Sequence, residues 1–137
     1  MRVEYLIPRL KSVFVPGRTL FIDSMPDSVT SGVIVLPSLV GGRINPYTPD
    51  FRSSDQVQIV ARDTSRVKAR NMAQQASDAL VIATPETIVG ASLDDPIAGD
   101  IEVLALRALS DPIVYPRPQT NYWEVSVNFL VHWRKVS

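Results

Sequence analysis

The sequence predicts a single domain in which β-strands and helices both occur. Residues 121–135 form the clearest strand, because apolar side chains occupy every second position from Trp123 to Trp133. A period of two places these side chains on one face of the strand and the mostly polar residues between them on a face expected to meet solvent. The stretch after Asp63 instead spaces its apolar residues as a helix does. At 137 residues the chain has the size of one domain.

Two segments have helical spacing. Residues 3–14 carry one apolar stripe, in which Pro8 predicts a late start or a kink because proline disrupts a helix interior. The second segment follows possible N-cap oxygens at Asp63, Thr64 and Ser65. Its small apolar side chains are Ala69, Met72, Ala73, Ala76, Ala79 and Leu80. This narrow stripe predicts an amphipathic helix that lies close to a sheet.

Shorter strands are predicted at residues 19–23, 33–36 and 57–62, where β-branched or aromatic residues are concentrated. Residues 102–109 have a composition that favours a helix but also permits a strand. Pro112, Pro116 and Pro118 indicate an edge or a loop before the final strand. Residues 86–100 read as a polar connection.

Residues 38–55 form a long connection rich in Gly, Pro, Asn, Ser and Asp. Loops of this length without their own structure are usually functional or disordered. This one combines Tyr47 and Phe51 with Arg43 and Arg52, and aromatic residues and arginine are enriched at protein interfaces. The loop is therefore predicted to be a docking segment, with simple surface mobility as the alternative.

Composition excludes several functional classes. The chain has no cysteine, which rules out disulfides, thiolate catalysis and cysteine-based metal sites. Fourteen basic and fourteen acidic residues give a net charge of zero, whereas proteins that bind nucleic acid through phosphates are normally basic. Neither a signal peptide nor a membrane span is expected, because the apolar runs are only a few residues long.

The charges are unevenly distributed along the chain. Residues 43–70 contain six basic and three acidic residues, and residues 71–111 contain seven acidic residues and one basic residue. Such segregation permits a head-to-tail contact between copies of the chain, and contacts of that kind generate rings when the rotation closes. Neutralisation within one subunit is the alternative, and the sequence leaves both open.

Catalytic patterns are weak. His132, the only histidine, lies on the polar face of the last strand, about 20 Å along that strand from Ser126. Ser65 and Lys68 match a Ser-x-x-Lys pattern but lack its accompanying motifs. Asp94 and Asp95 lack the spacing of a calcium loop. No cofactor or metal site is expected, and the residues favour an assembly or binding protein over an enzyme.

The order of these elements resembles that of the tail terminator and minor capsid (tail-completion) proteins of long-tailed bacteriophages. The resemblance rests mainly on residues 56–80, where a strand ending in Arg62 precedes the Ala-rich helix, and on the aromatic strand at residues 121–133. It implies an α+β fold: a single mixed, mostly antiparallel sheet with about two helices packed on it, in a ring-forming subunit. It also favours a strand at residues 102–109.

The resemblance further implies a homohexameric ring that caps the tail tube, stops its polymerisation and presents a surface to the neck. The implied location is the tail–neck junction of the virion, after assembly in the host cytoplasm. The implied partners are other copies of the chain, the tail tube protein and a neck or head-completion protein, with DNA only passing through the lumen.

Two groups of site residues are predicted. In the first, basic residues of one subunit face acidic residues of the next: Arg62, Arg66 and Arg70 against Asp94, Asp95, Asp100 or Glu102. In the second, Arg43, Tyr47, Phe51 and Arg52 dock on the tube or the neck. Three alternatives stay open: a head-completion or neck ring, a small hydrolase that uses His132, and a binding module with its ligand on the polar face of the last strand.

Overall fold

The computed structural model describes residues 2–22, 24–26, 28–37, 43–44, 53–109, 111–115 and 122–136. Within these ranges two 3-10 turns, Val3–Leu6 and Gly90–Ser92, accompany the α-helices α1 (Ile7–Leu10) and α2 (Arg66–Leu80). The described strands are β1 (Leu20–Ile22), β2 (Gly32–Pro37), β3 (Arg43–Ile44), β4 (Ser53–Asp63), β5 (Glu86–Ile88), β6 (Asp100–Ala108), β7 (Ile113–Tyr115) and β8 (Trp123–Val136).

The described strands form one sheet in the order β1-β2-β4-β8-β6-β5. Strand β3 pairs with β4, and β7 pairs with β8. The β1–β2 pair is parallel, and the other strand pairs are antiparallel. These observations confirm the predicted α+β fold, with a mixed, mostly antiparallel sheet and two helices.

The centre of the sheet is the antiparallel pair of β4 and β8. Its register runs from Ser53 opposite Trp133 to Asp63 opposite Trp123, the full length of β4. The period-two pattern of the last strand is reproduced in the burial, because Val125, Val127, Phe129 and Val131 are all at most 1% exposed. Strand β4 begins four residues before the predicted strand, within the segment expected to be a loop.

Helix α2 packs on this central pair through its narrow stripe. Ala69, Ala73, Ala76 and Leu80 are fully buried. The Ser65 hydroxyl accepts a hydrogen bond from the Lys68 amide at 3.4 Å, so Ser65 is the N-cap predicted from the sequence. Alanine side chains let the helix axis approach the β-branched residues of the sheet closely, and this packing fixes where the exposed face of α2 lies.

The N-terminal segment is helical over a shorter range than predicted. A 3-10 turn gives way to α1 at Ile7, which puts Pro8 in the first turn, where its missing N–H costs no hydrogen bond. The α-helix ends at Leu10 instead of continuing to residue 14. The apolar stripe is nevertheless buried at Leu6, Leu10 and Phe14, while Val13 is 44% exposed.

The second half of the chain departs from the prediction at residues 86–100. Residues 86–100, expected to be a polar connection, contain β5 and a 3-10 turn. The Pro-rich segment contains the short strand β7. Gly90 packs so tightly that a Cβ atom there would lie 2.2 Å from the Gly99 carbonyl oxygen. The strand favoured over a helix at residues 102–109 is present as β6.

None of the helices in the described ranges is long and apolar enough to span a membrane.

The close approach of α2 to the sheet makes a specific prediction. Replacing Ala73 with Leu is expected to lower the free energy of unfolding by about 1–3 kcal/mol, because the added carbons have no space between helix and sheet. Gln75→Leu, on the exposed face of the same helix, is the matched control and is expected to have a small effect. Urea denaturation with unchanged m-values measures both. Equal effects at the two positions would contradict the packing described.

Candidate functional site

The first part of the candidate site is a cationic patch at the N-terminal end of α2. It consists of Arg66, Lys68 and Arg70, all exposed, and the first turn of the helix contains no acidic residue. The Arg66 guanidinium lies 5.9 Å from the centroid of the Trp123 ring. In the described part of the chain, no carboxylate pairs with any of the three. Because the helix dipole is positive at this end, the patch is a concentrated positive surface that favours an anionic partner.

Arg62, which the sequence grouped with these residues, lies elsewhere. It is 7% exposed and sits on the sheet face opposite α2. Its Nη1 atom donates to the carbonyl oxygens of Pro26 and Val29, each at 3.1 Å. Its Nη2 atom is 4.0 Å from Glu124, the residue opposite it in the β4–β8 register. Arg62 therefore ties Pro26 and Val29 to the sheet within its own subunit.

We call this set of Arg62 contacts the Arg62 tether. The sheet face on which it lies was expected to be exposed to solvent, but it is partly buried. Glu124 is 8% and Ser126 is 2% exposed, so the first part of the predicted solvent-facing side of β8 is buried. Tyr122 is also buried and lies beneath the Arg62 guanidinium, 4.1 Å from its ring centroid. The polar residues alternate along β8 as predicted, but burial of Glu124 and Ser126 depends on distant parts of the chain, which a local pattern does not reveal.

Three of the four predicted acidic residues, Asp94, Asp100 and Glu102, have partners within the subunit. Asp94 pairs with Lys11, and Glu102 pairs with Arg134 at 3.0 Å. One oxygen of Asp100 accepts the Gly90 amide at 3.0 Å. Glu86, outside the predicted set, pairs with Arg9. The cationic partners Arg9, Lys11 and Arg134 come from the N- and C-terminal segments, whereas the sequence predicted partners from the basic segment at residues 43–70.

Asp95 is the exception in this group. Its side chain is exposed, and no ion pair or hydrogen bond engages it among the described residues. We call residues 93–96 the acidic loop. Ion pairs within the subunit therefore account for Glu86, Asp94 and Glu102, whereas Asp95 is exposed and has no ion-pair partner among the described residues.

The acidic loop and the cationic patch lie at opposite ends of α2. Lys11, the partner of Asp94, is two residues from Arg9, whose Nη1 atom donates to the Ala79 carbonyl oxygen at 3.3 Å. This contact places the loop near the C-terminal end of the helix. Along an α-helix the rise to Ala79 is about 20 Å from Arg66 and about 14 Å from Arg70. The two charged groups are therefore too far apart to pair within one subunit.

Several exposed apolar side chains were not predicted from the sequence: Val67 lies on α2, whereas Ile113 and Tyr115 pair with Ser126 and Glu124 on the sheet face opposite α2. Val67 is 66% exposed, and Leu109, Ile113 and Tyr115 are 43–46% exposed. A groove of 530 Å³ connects the helix to the β6–β7 connection and is lined by Val67, Arg70, Asn71, Gln74, Asp111 and Pro112. The available signal was the β-branched and aromatic run Ile113-Val114-Tyr115 between two prolines, which is typical of an edge strand.

A second cleft, of 510 Å³, lies beside the N-terminal turn. Its lining includes Arg2, Tyr5, Trp133 and Lys135. The Tyr5 hydroxyl donates to the Gly99 carbonyl oxygen at 2.8 Å. Burial raises the pKa of the Tyr5 phenol above its ordinary value, and the Asp100 carboxylate raises it further. The phenol therefore stays a hydrogen-bond donor that joins the N-terminal turn to the start of β6.

The predicted docking residues are mostly outside the described ranges. Tyr47, Phe51 and Arg52 lie there, and the backbone of Arg43 is in β3, opposite Ser54. Their docking role stays a prediction. His132 lies opposite Ser54 and Ala105 in the sheet. Among the described residues, no group of three or more His, Asp or Glu side chains is placed to hold a metal ion.

Comparison with known families decides the class of protein. The family described as "Bacteriophage tail terminator protein" matches residues 10–133, a range that includes β1 through β7, α2 and most of β8. The chain belongs to the bacteriophage tail terminator family. This membership confirms the resemblance noted in the sequence, and the protein is a structural component of the virion tail.

The fold is also similar to that of a chain in a solved structure titled "Virion of native gene transfer agent (GTA) particle". The TM-score is 0.60 at 16% sequence identity, and the match covers 94% of this chain and 91% of that one. At this identity the likeness establishes the fold alone. No curated protein matches the sequence.

The Arg62 tether gives a testable prediction. Arg62→Ala is expected to lower the free energy of unfolding by about 3 kcal/mol, because it removes a buried cation that binds the carbonyl oxygens of Pro26 and Val29 and lies 4.0 Å from the Glu124 carboxylate. Arg66→Ala removes an exposed arginine four residues away and is expected to stay within about 0.5 kcal/mol of the parent. Chemical denaturation of the two variants is the measurement. A loss in Arg62→Ala no larger than that in Arg66→Ala would contradict the proposed tether.

Proposed function

We propose that this tail terminator forms a ring that caps the tail tube, stops its polymerisation and offers the attachment surface for the neck. The observation that carries the proposal is the family match, since it spans the sheet and α2 rather than an isolated motif.

The proposed ring contact joins the two ends of α2 in successive subunits. The cationic patch of one copy meets the acidic loop of the next, with Arg66 and Arg70 opposite Asp95 and, beside it, Asp94. A contact between two different surfaces of the same chain is heterologous, and heterologous contacts generate rings when the rotation between subunits closes. Six copies, the number implied by resemblance to tail terminators, complete the proposed ring.

The geometry refines the set of contact residues. Arg62 is left out of the contact because its guanidinium is buried and bound to its own chain. Asp100 and Glu102 are secondary, since Asp100 accepts the Gly90 amide and Glu102 pairs with Arg134. Arg66, Arg70 and Asp95 are exposed and have no charged partner among the described residues, which supports their assignment to the contact between subunits.

The proposed docking surface for the tube or the neck is the segment at residues 38–55, through Tyr47 and Phe51 with Arg43 and Arg52. In this proposal DNA passes through the lumen, and the zero net charge of the subunit gives no reason for tight binding to it.

A neck or head-completion ring is the second candidate, because such a ring would also occupy the junction between tail and head. Tail length distinguishes the two. Electron microscopy of particles assembled without this protein is expected to show abnormally long or widely scattered tail tubes, because nothing stops tube growth. Tails of normal length that fail to join heads would contradict the terminator assignment and favour the neck ring.

Charge reversal tests the proposed ring contact. Arg66→Glu is expected to block ring assembly, because it places like charges at every contact around the ring, and Asp95→Lys in the same chain is expected to restore assembly in part. Each exposed pair contributes only about 0.2–1 kcal/mol, so the reversal acts mainly on orientation. Arg18→Glu, an exposed position beside β1, is the control. Sedimentation analysis is the readout, and unchanged assembly of Arg66→Glu would contradict the pairing.

A further inference from the structure

A groove of 530 Å³ runs along one side of α2, between the helix and residues 111–112. Its helix side is lined by Val67, Arg70, Asn71 and Gln74. These residues follow one another at helical spacings of three, four and seven positions from Val67, so their side chains lie on one side of α2. The groove is therefore a continuous surface that begins in the first turn of the helix.

The helix wall of the groove combines apolar, amide and positively charged groups. Val67 is 66% exposed, more than any other large apolar side chain in the described ranges. Asn71 and Gln74 add amide groups that both donate and accept hydrogen bonds. Arg70 lies in the wall, and Arg66 is one turn before it on α2, so this wall is positively charged. Such a surface suits a segment that carries a carboxylate beside a compact apolar side chain.

The opposite wall of the groove carries a negative charge. It is formed by Asp111 and Pro112, and the Asp111 side chain is exposed. No ion pair joins Asp111 to Arg70 across the groove in the described part of the chain. A carboxylate that enters the groove is therefore attracted by Arg70 and repelled by Asp111.

The acidic loop of the same chain has the complementary properties. Asp94, Asp95 and Pro96 are exposed, and Leu93 before them is 6% exposed and anchors the loop. Asp94 pairs with Lys11, whereas Asp95 has no ion-pair partner among the described residues. The loop thus presents a carboxylate next to a proline ring.

The base of this loop is fixed by a set of contacts within the subunit. The Gly90 carbonyl oxygen accepts the Ile97 amide at 3.0 Å, and the Gly90 amide donates to Asp100 at 3.0 Å. The Tyr5 hydroxyl donates to the Gly99 carbonyl oxygen at 2.8 Å. A compact loop whose two ends are bonded together is preorganised, and it loses little conformational entropy when it binds.

The acidic loop does not reach the groove of its own subunit. The pair of Asp94 with Lys11 holds the loop near the C-terminal end of α2. Arg70 lies about 14 Å along the helix from Ala79, whose carbonyl marks that end, whereas an ion pair requires a separation of about 4 Å. A second copy of the chain carries the same loop, and its charge is opposite to that of the helix wall.

We propose that the acidic loop of one copy inserts into the groove beside α2 of a second copy. In this contact Asp95 lies against Arg70, Pro96 packs on Val67, and Asn71 forms hydrogen bonds with the loop. The inference rests on the proposed ring and identifies the surface that receives the loop.

The same contact gives Asp111 a role. Its carboxylate lies across the groove from Arg70, so it opposes the entry of Asp95 and limits the strength of the contact. Asp111 thus makes the proposal sharply testable, because its removal is expected to improve assembly rather than to impair it.

Two variants that each add one carboxylate to α2 test the position of the contact. Asn71→Asp places the charge in the groove, and Gln75→Glu, at an exposed residue that does not line the groove, is the matched control. Asn71→Asp is expected to raise the concentration for half-maximal assembly at least ~threefold, because it repels Asp95, whereas Gln75→Glu is expected to change it less than ~1.5-fold. Sedimentation of the purified chain is the readout, and equal effects at the two positions would overturn the proposal.

Removal of the opposing charge gives the reverse prediction. Asp111→Asn is expected to lower the concentration for half-maximal assembly at least ~threefold, because its carboxylate no longer repels the loop. This gain is expected to disappear in chains that also carry Asp95→Asn, since the repulsion requires both carboxylates. A gain of the same size in both backgrounds, or no gain in either, would overturn the proposal. All the replaced side chains are exposed, so thermal midpoints of the isolated variants are expected to match that of the parent.

These measurements separate the groove from the proposed function. If tails lose length control without this protein but Asn71→Asp and Gln75→Glu assemble alike, the terminator assignment stands and the groove contact is wrong. If Asn71→Asp and Asp111→Asn shift assembly in opposite directions but tails keep their normal length without the protein, the groove contact stands and the terminator assignment is wrong.

Discussion

The pairing of β4 with β8 is the interaction on which the rest of the structure depends. Eleven residues of β4 pair with β8, and the two strands present their apolar side chains to the same side. Helix α2 packs on that side through alanines, and Arg62 and Glu124 meet on the other side. A slip of one residue would exchange the two faces, bringing charged groups beneath α2 and valines to the opposite face. Register thus fixes both the core and the direction of α2.

The sequence predicted the elements whose patterns are local and missed those that depend on distant partners. Strand β8 and helix α2 have clear periods of two and 3.6 residues, so burial follows directly from spacing. The three-residue strands β5 and β7 are too short to show a period, and each is a strand only because β6 or β8 lies beside it. The close packing of Gly90 against Gly99 is likewise invisible in a pattern of neighbours.

The sequence predicted which segments of the candidate site are basic and which are acidic, but it did not predict which side chains pair. Counting charges separated a basic from an acidic segment, yet the partners of Asp94 and Glu102 are Lys11 and Arg134, which lie far away in the chain. Arg62 precedes Arg66 by only four residues, but a strand ends and a helix begins between them, so the two arginines lie on opposite faces of the sheet. The fold separates the charged side chains that have no ion-pair partner among the described residues, because Arg66 and Arg70 lie at one end of α2 and Asp95 lies near the other.

The central claim is that successive subunits meet head to tail through these two ends. A bismaleimide crosslinker applied to assembled mixtures of Arg66→Cys copies and Asp95→Cys copies tests it directly, because no other cysteine is present. The account predicts crosslinks between the two kinds of copy and none in assemblies of either kind alone. Crosslinks within assemblies of Arg66→Cys alone, or none in the mixture, would contradict it.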